Sequence, residues 1–340
     1  MAGYEPFSNT ISLAHGDGGE LTHQLITGVF LKYFHHDALQ PLNDAALIPG
    51  PPCRLALTTD SFVVKPLFFP GGNIGTLAVN GTVNDLAVSG ARPLYLTVGL
   101  ILEEGLPLPV LEKVIAALAA AAQEAGVAIV AGDTKVVERG HGDQIFINTT
   151  GLGLVADNIH LGCHRVRPGD AIICSGAIGD HGLAVLAARE NFGLKGLKSD
   201  CAALHTLILP LLENFPGAIK WLRDPTRGGL ATTVKELALS AQVDVILSEE
   251  AIPVHDSVRG GAEILGLDYL YLANEGKFCA VVESSAAEEI LAFLRRHPLG
   301  CEAALIGEIK DGSGRALLRT TLGATRELYL LSGQQLPRIC

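Results

Sequence analysis

Short apolar segments that run straight into acidic or glycine-rich turns, with amphipathic segments between them, constrain this fold more than any other feature. Residues 55–59 read as a buried strand ending at Asp60. Residues 76–89 read as a helix that carries Asn84 and Asp85 and closes at Gly90, and 94–102 as another strand. Between 109 and 125, Val110, Leu111, Val114, Ile115 and Leu118 recur on one helical face, and Gly126 ends the helix. Residues 127–131 form a strand leading into Gly132-Asp133-Thr134-Lys135, and 145–154 are the last strand of this half. Val166-Arg167-Pro168-Gly169-Asp170 interrupts the pattern, and a second cycle follows. It holds a strand at 171–175 ending in a glycine-rich turn up to Gly182, helices around 182–190 and 200–213, and a helix opened by Asp224 as N-cap with Pro225 behind it. Two apolar segments then flank Asn274-Glu275-Gly276-Lys277, before a helix at 286–296 and a strand at 304–309.

A chain of 340 residues is long enough for two domains at roughly 100–200 residues each. The expectation is an α+β protein with two domains of similar plan. Residues 1–40 form an N-terminal Gly-loop segment with a helix at 20–34. Residues 41–160 and 168–322 are the domains, and 323–340 are a mobile tail broken by Gly and Pro.

The net charge of −11 and the absence of any basic run argue against nucleic acid as a partner. An acidic chain that handles phosphate compounds needs a divalent cation to carry the positive charge. No apolar stretch is long enough to span a bilayer, and residues 1–20 lack a signal-peptide core, so no membrane association and a cytoplasmic location are expected. The seven cysteines contain no CxxC pair and no disulfide framework. Six read as small apolar residues, and Cys340 at the end of the tail stands apart.

Asp44, Asp60, Asp85, Asp133 and Asp224 fall in loops or at strand ends. Each alone is as well explained as a turn or capping residue. Together with Asn84 and Thr134 they point to a site for a hard cation and a nucleotide. Gly16, Gly18, Gly19, Gly71, Gly72, Gly179, Gly182, Gly228 and Gly229 lie in turns where backbone N–H groups can approach phosphate, although neither a P-loop nor a GxGxxG motif is present. Lys135 and Glu275 suit a cation that steadies negative charge and a carboxylate that takes a proton; the bland alternative is two solvated charges. His160, Cys163 and His164, like His35 and His36, lack a fourth ligand for zinc and read as surface residues. A tail of about 15 residues reaches roughly 50 Å when extended, so Cys340 can be delivered to a distant site.

Several of these motifs resemble the HypE family of carbamoyl dehydratases in hydrogenase maturation. The likeness lies in Pro337-Arg338-Ile339-Cys340, the His15-Gly16-Asp17-Gly18-Gly19 loop, Thr59-Asp60-Ser61 and Phe68 to Gly75. It continues through Asn84-Asp85, Gly132-Asp133-Thr134-Lys135, Asp224 to Gly229 and Asn274 to Lys277, in order over nearly the whole chain. The resemblance implies the two-domain fold of aminoimidazole ribonucleotide synthetase, a mixed sheet in each domain, and a homodimer built on the first domain with ATP sites near the interface. It implies that a carbamoyltransferase loads Cys340, that ATP with Mg²⁺ drives dehydration of the thiocarboxamide to a thiocyanate, and that the cyano group passes to iron on a scaffold of two maturation proteins. By the same resemblance Glu275 is the base, with Lys135 beside it. Asp60, Asn84, Asp85, Asp133, Thr134, Asp224, Gly228 and Gly229 hold ATP, and Asp44, Asp60, Asp85 and Asp133 hold the metal. Asp17 departs from the pattern, since a carboxylate among phosphates repels them, and Asn43-Asp44 replaces a pair of acids. The rival readings are a synthetase or kinase of the same superfamily, which has no use for a terminal cysteine, and a non-catalytic carrier, which has no use for the carboxylates. Selenophosphate synthetase would need a reactive cysteine or selenocysteine near a lysine, and residues 12–24 hold neither.

Overall fold

The computed structural model describes residues 19–25, 27, 46–50, 53–193, 196–331, 333, 336 and 338–340. Asp44, Asp17, Gly16, Gly18, His35 and His36 lie outside the described residues, as does nearly all of the expected helix beyond α1 (Glu20–Leu25).

The first unit contains β1 (Ala46–Gly50), β2 (Cys53–Phe62), a small hairpin of β3 (Phe68–Phe69) and β4 (Gly72–Asn73), α2 (Ile74–Val88), β5 (Ala91–Glu103), α3 (Leu108–Glu124), β6 (Ala128–Val137) and β7 (Ile145–Val155). Its five-stranded sheet has the order β1-β2-β7-β5-β6, antiparallel except for the parallel β5–β6 pair. Asn73 caps α2 by accepting from the N–H groups of Gly75 and Thr76. This helix is apolar on almost every side and is correspondingly buried, with β2, β5 and β7 on one side and α3 on the other. Among the described residues no helix covers the opposite face of the sheet: Leu57, Tyr95 and Ile101 are 40%, 45% and 44% exposed there.

The second unit contains β8 (Ala171–Cys174), α4 (Asp180–Arg189), α5 (His205–Asn214), β9 (Ile219–Arg223), α6 (Gly229–Ala241), β10 (Val243–Ser248), α7 (Asp256–Leu265), β11 (Cys279–Val282), α8 (Ala287–Leu294), β12 (Ala304–Asp311), β13 (Ala316–Arg319) and β14 (Thr325–Leu328). Its seven-stranded sheet runs β14-β13-β10-β12-β8-β11-β9, with β10–β13 as the parallel pair. Both sheets are therefore mixed and both carry helices, as an α+β fold requires.

Three sequence expectations change. The helix expected from Asp224 starts at Gly229, because the backbone of Pro225 is held elsewhere: its carbonyl accepts from Asn274 N–H (3.1 Å) and Asn274 Nδ2 (2.8 Å). Asp224 follows directly on β9 instead of capping that helix. The Asp133-Thr134-Lys135 motif lies inside β6 instead of in the turn after it, because β5 offers a long edge for pairing. The segment from 323 is not a free tail: β14 completes the second sheet, and Ile339 and Cys340 are buried in the core of the first unit.

Candidate active site

The site is organised around the turn at Asn274–Lys277. Asn274 is buried, and its side chain joins three loops, accepting from Gly179 N–H (2.7 Å) and donating to the carbonyls of Pro225 and Leu272. Asp200 supports the next two residues, taking hydrogen bonds from Glu275 N–H (3.0 Å) and Gly276 N–H (3.2 Å) while Lys277 neutralises it at 3.4 Å. Only glycine fits at 276, since a Cβ there would lie 1.8 Å from Asp200 O. Asn84, on α2, donates to the carbonyls of Glu275 and Ala202 and accepts from Leu204 N–H. Its amide is therefore occupied in holding the turn.

The rigid turn aims the Glu275 side chain at Gly81 of α2, in an interior position 3% exposed. Burial, then the negative charges of Asp224, Asp60 and Asp200, push its pKa well above the usual carboxylate range, with Arg227 opposing. Asp60 is also raised, by burial, against the pull of Arg227 and the Ser61 N–H. Asp85, on α2, accepts from the hydroxyl of Thr58 at 2.8 Å, two residues before Asp60 on β2. Arg227, solvent-accessible yet ringed by acids, has its pKa raised by Cys340 when that thiol is ionised and by the charges of Asp60, Glu275 and Asp85. The donor set is oxygen only, which suits Mg²⁺, and the crowded carboxylates favour a cation among them. Among the described residues no three His, Cys, Asp or Glu side chains converge to hold a metal by themselves. Asp60 and Asp85, whose charges both act on Arg227, are the carboxylates that could share one with phosphate oxygens and water.

Cys340 enters this cluster. Val63 N–H donates to its carbonyl (3.0 Å), Lys65 N–H donates to Arg338 O (3.2 Å), and the Arg338 guanidinium bonds Val63 O and the Asp143 carboxylate. Burial works against a charged Asp143, but Arg338 and Lys65 keep its pKa below the ordinary value. His181 is buried and its pKa is lowered by burial. Because Ile339 O can only accept, the proton sits on Nε2 (2.9 Å), leaving Nδ1 to accept from the Ser199 hydroxyl (2.8 Å).

Burial pushes the Cys340 thiol up to about 12; Arg227 opposes this, while Glu275 and Asp60 add to it. An acid whose pKa rises on docking is held most firmly while protonated. Docking of the unmodified tail is therefore strongest below the free-thiol value of about 8.5 and weakens as pH climbs from there toward about 12. Alkylation of Cys340 at neutral pH should be far slower than that of exposed Cys301, and should accelerate above about pH 8.5 more steeply than for a free thiol. Equal rates for the two cysteines at neutral pH would contradict the docked state.

The sheet register separates the remaining expected residues from this cluster. Ser61, Asn148, Gly99 and Asp133 form one cross-strand row, so Asp133 is about 14 Å from Ser61, three strand spacings away. Asp60 pairs with buried Thr149 and faces α2, whereas Asp133 shares the open face with exposed Asn148. Lys135 pairs with Asp133 at 2.9 Å on that same face, away from Glu275. The expected Lys135–Glu275 pairing is thus absent within one chain, because parity along β6 points both β6 side chains outward. Thr134 is exposed on β6. Gly228 and Gly229 start α6 with positive φ; a Cβ on Gly229 would meet the carbonyls of Leu270 and Leu272 at 2.6 Å. Sequence reasoning did not single out Arg227, Asp200, His181 or Asp143. Arg227 lay inside the Asp224–Gly229 motif, while Asp200 sits in a loop without periodicity.

Comparison with known proteins places the chain in context. Residues 42–155 match the AIR synthase related protein N-terminal domain and 167–318 the corresponding C-terminal domain. The carbamoyl dehydratase HypE of Azotobacter vinelandii is 49% identical over 335 residues, covering 98% of each chain. A crystal structure of a HypE–HypF complex superposes with a TM-score of 0.85 at 46% identity, covering 91% of this chain and 99% of that one. A structure of the hydrogenase maturation protein HypE in complex with ATP gives 0.82 at 49% identity, covering 97% and 100%.

Proposed function

We infer, for a chain that belongs to the carbamoyl dehydratase HypE family of AIR synthase related proteins, that it uses ATP to dehydrate its own carbamoylated Cys340 to a thiocyanate, the source of the cyanide ligand in nickel–iron hydrogenase. The observation that carries this reading is the seating of Cys340 among Glu275, Asp60 and Arg227.

A carboxamide oxygen leaves poorly, and transfer of the γ-phosphoryl group of ATP to it makes phosphate the leaving group. The thiocarboxamide oxygen attacks phosphorus and ADP departs, with a first N–H proton passing to solvent. Glu275 takes an N–H proton, the carbon–oxygen bond breaks, and the nitrile forms as phosphate leaves. A buried carboxylate with a raised pKa suits this step, since its proton affinity approaches what a base working near neutral pH needs. Arg227 supplies fixed positive charge beside the reacting group. Mg²⁺, when bound at Asp60 and Asp85, supplies charge neutralisation for the phosphates. ATP as the second substrate is supported by the relative solved with ATP.

A carbamoyltransferase is the partner that loads the thiol, in keeping with the HypE–HypF complex. The high pKa of the docked thiol means that loading takes place with the tail released. We further propose transfer of the cyano group to a scaffold of two maturation proteins that carries iron, and a homodimer that uses the open sheet face and brings Asp133 and Lys135 of one copy toward the other's site. All these substrates suit a cytoplasmic location; among the described residues no helix is long and apolar enough to cross a membrane.

The test is the mass of the C-terminal peptide after incubation with the carbamoyltransferase, carbamoyl phosphate and Mg-ATP. Loading followed by loss of one water, the second step requiring hydrolysable ATP, is expected. A carbamoyl group that persists would leave only a carrier. Asp60→Asn should raise the Mg²⁺ concentration for half-maximal rate at least about tenfold, as loss of one charged ligand implies. An unchanged Mg²⁺ dependence removes Asp60 from the metal set.

A further inference from the structure

The described polar contacts that hold residues 338–340 are made with the body of the chain and not with the segment that tethers them. Residues 63 and 65 run beside the tail, and their N–H groups donate to main-chain oxygens of Cys340 and Arg338. Arg338 also lies over the Phe146 ring, 5.7 Å from its centroid, with Asp143 at its guanidinium. Ile339 fills an apolar position, 4% exposed, and His181 reads its carbonyl. Arg338 bends the segment at positive φ, 55°, and a short segment held through main-chain oxygens, with one ionic pocket and one apolar pocket, is how folded domains bind separate peptides. Leu336 packs against the same core, and covalent attachment adds local concentration, on the order of millimolar for a short linker.

We propose that this groove is a peptide subsite that works in trans. The chain dehydrates an S-carbamoyl cysteine at the end of a separate peptide ending Pro-Arg-Ile-Cys, the tail of a second copy included. This rests on the function proposed above. The balance is the same: the amide oxygen leaves as part of phosphate, both amide N–H protons are lost, the carbon–nitrogen bond becomes triple, and ATP becomes ADP.

The test uses the full chain carrying Arg338→Glu and Cys340→Ala, whose own tail is repelled by Asp143 and has no thiol. The probe is the synthetic peptide Gly-Gln-Gln-Leu-Pro-Arg-Ile-Cys with an S-carbamoyl group, supplied up to about 1 mM with Mg-ATP. The peptide should lose one water only when ATP is present. Adding Asp143→Asn to the chain should slow this about tenfold, the effect of losing one charge-assisted hydrogen bond. A peptide with Glu in place of Arg should not be converted. A second measurement avoids dependence on the variant's folding: excess peptide ending in Ser should slow self-dehydration of the unmodified, loaded chain. If the unmodified chain dehydrates its own tail but neither converts the free peptide nor is slowed by the Ser peptide, the inference is wrong and the function stands. Conversion of a scrambled peptide at an equal rate also overturns it. If the unmodified chain makes no thiocyanate on its own tail, the proposed function fails first.

Discussion

Glu275→Gln is expected to leave the loaded tail as a thiocarboxamide, with dehydration slowed by about 10²- to 10⁴-fold, the usual contribution of a positioned base. The substitution keeps the shape of the side chain and leaves the backbone bonds to Asp200 and Asn84 in place. It also removes a carboxylate that Asp224, Asp60 and Asp200 repel, so stability should hold or rise while turnover falls. ATP binding should survive. The same residue sets a pH limb: a base must be deprotonated, so the rate should climb as pH rises through a pKa displaced upward from the carboxylate range. Mass spectrometry of the tail after a single round of loading decides the matter. Thiocyanate formed at the normal rate would place the base elsewhere.

Cys340→Ser should abolish product altogether while leaving ATP binding intact. A serine hydroxyl is a far weaker nucleophile toward the carbamoyl donor at neutral pH than a thiol, of which a few per cent is ionised. In the docked position even the thiol, raised to about 12, is inert. On the proposed function, the residue is then loaded with the tail released and processed with it docked. A carbamoylated sulfur carries no titratable proton, so the loaded tail should dock independently of pH where the free tail does not. Product from the Cys340→Ser chain, detected on the C-terminal peptide, would end the self-substrate reading.

Much of this architecture is legible from local pattern. The helical face of Val110, Val114 and Leu118 marks α3 because burial repeats every turn, and Asp60 is visible as an acid within an apolar run. Three features are not legible, for one physical reason: contacts made far along the chain outweigh local preference. Asp224-Pro225 has the form of a helix start, yet Asn274 claims the Pro225 carbonyl. Lys135 and Glu275 carry complementary chemistry, yet strand parity in β6 turns Lys135 outward. The Gly- and Pro-broken end of the chain looks unanchored, yet Asp143 and His181, some 195 and 158 residues away in sequence, hold it. Asp200, which fixes the Asn274–Lys277 turn, gives no sign of itself in a loop without repeat or motif.

The burial of Cys340 also bears on the fate of what is made there. An organic thiocyanate is destroyed by thiolates: sulfur attacks sulfur, a disulfide forms and free cyanide is expelled. At 8% exposure the docked sulfur is shielded from soluble thiols such as glutathione. Cys201, packed against the same core, is kept as a protonated thiol by burial and by the charge of Glu275, which push its pKa up. On the proposed function, the groove that processes the loaded sulfur also shields its product from thiols until the cyano group is passed on.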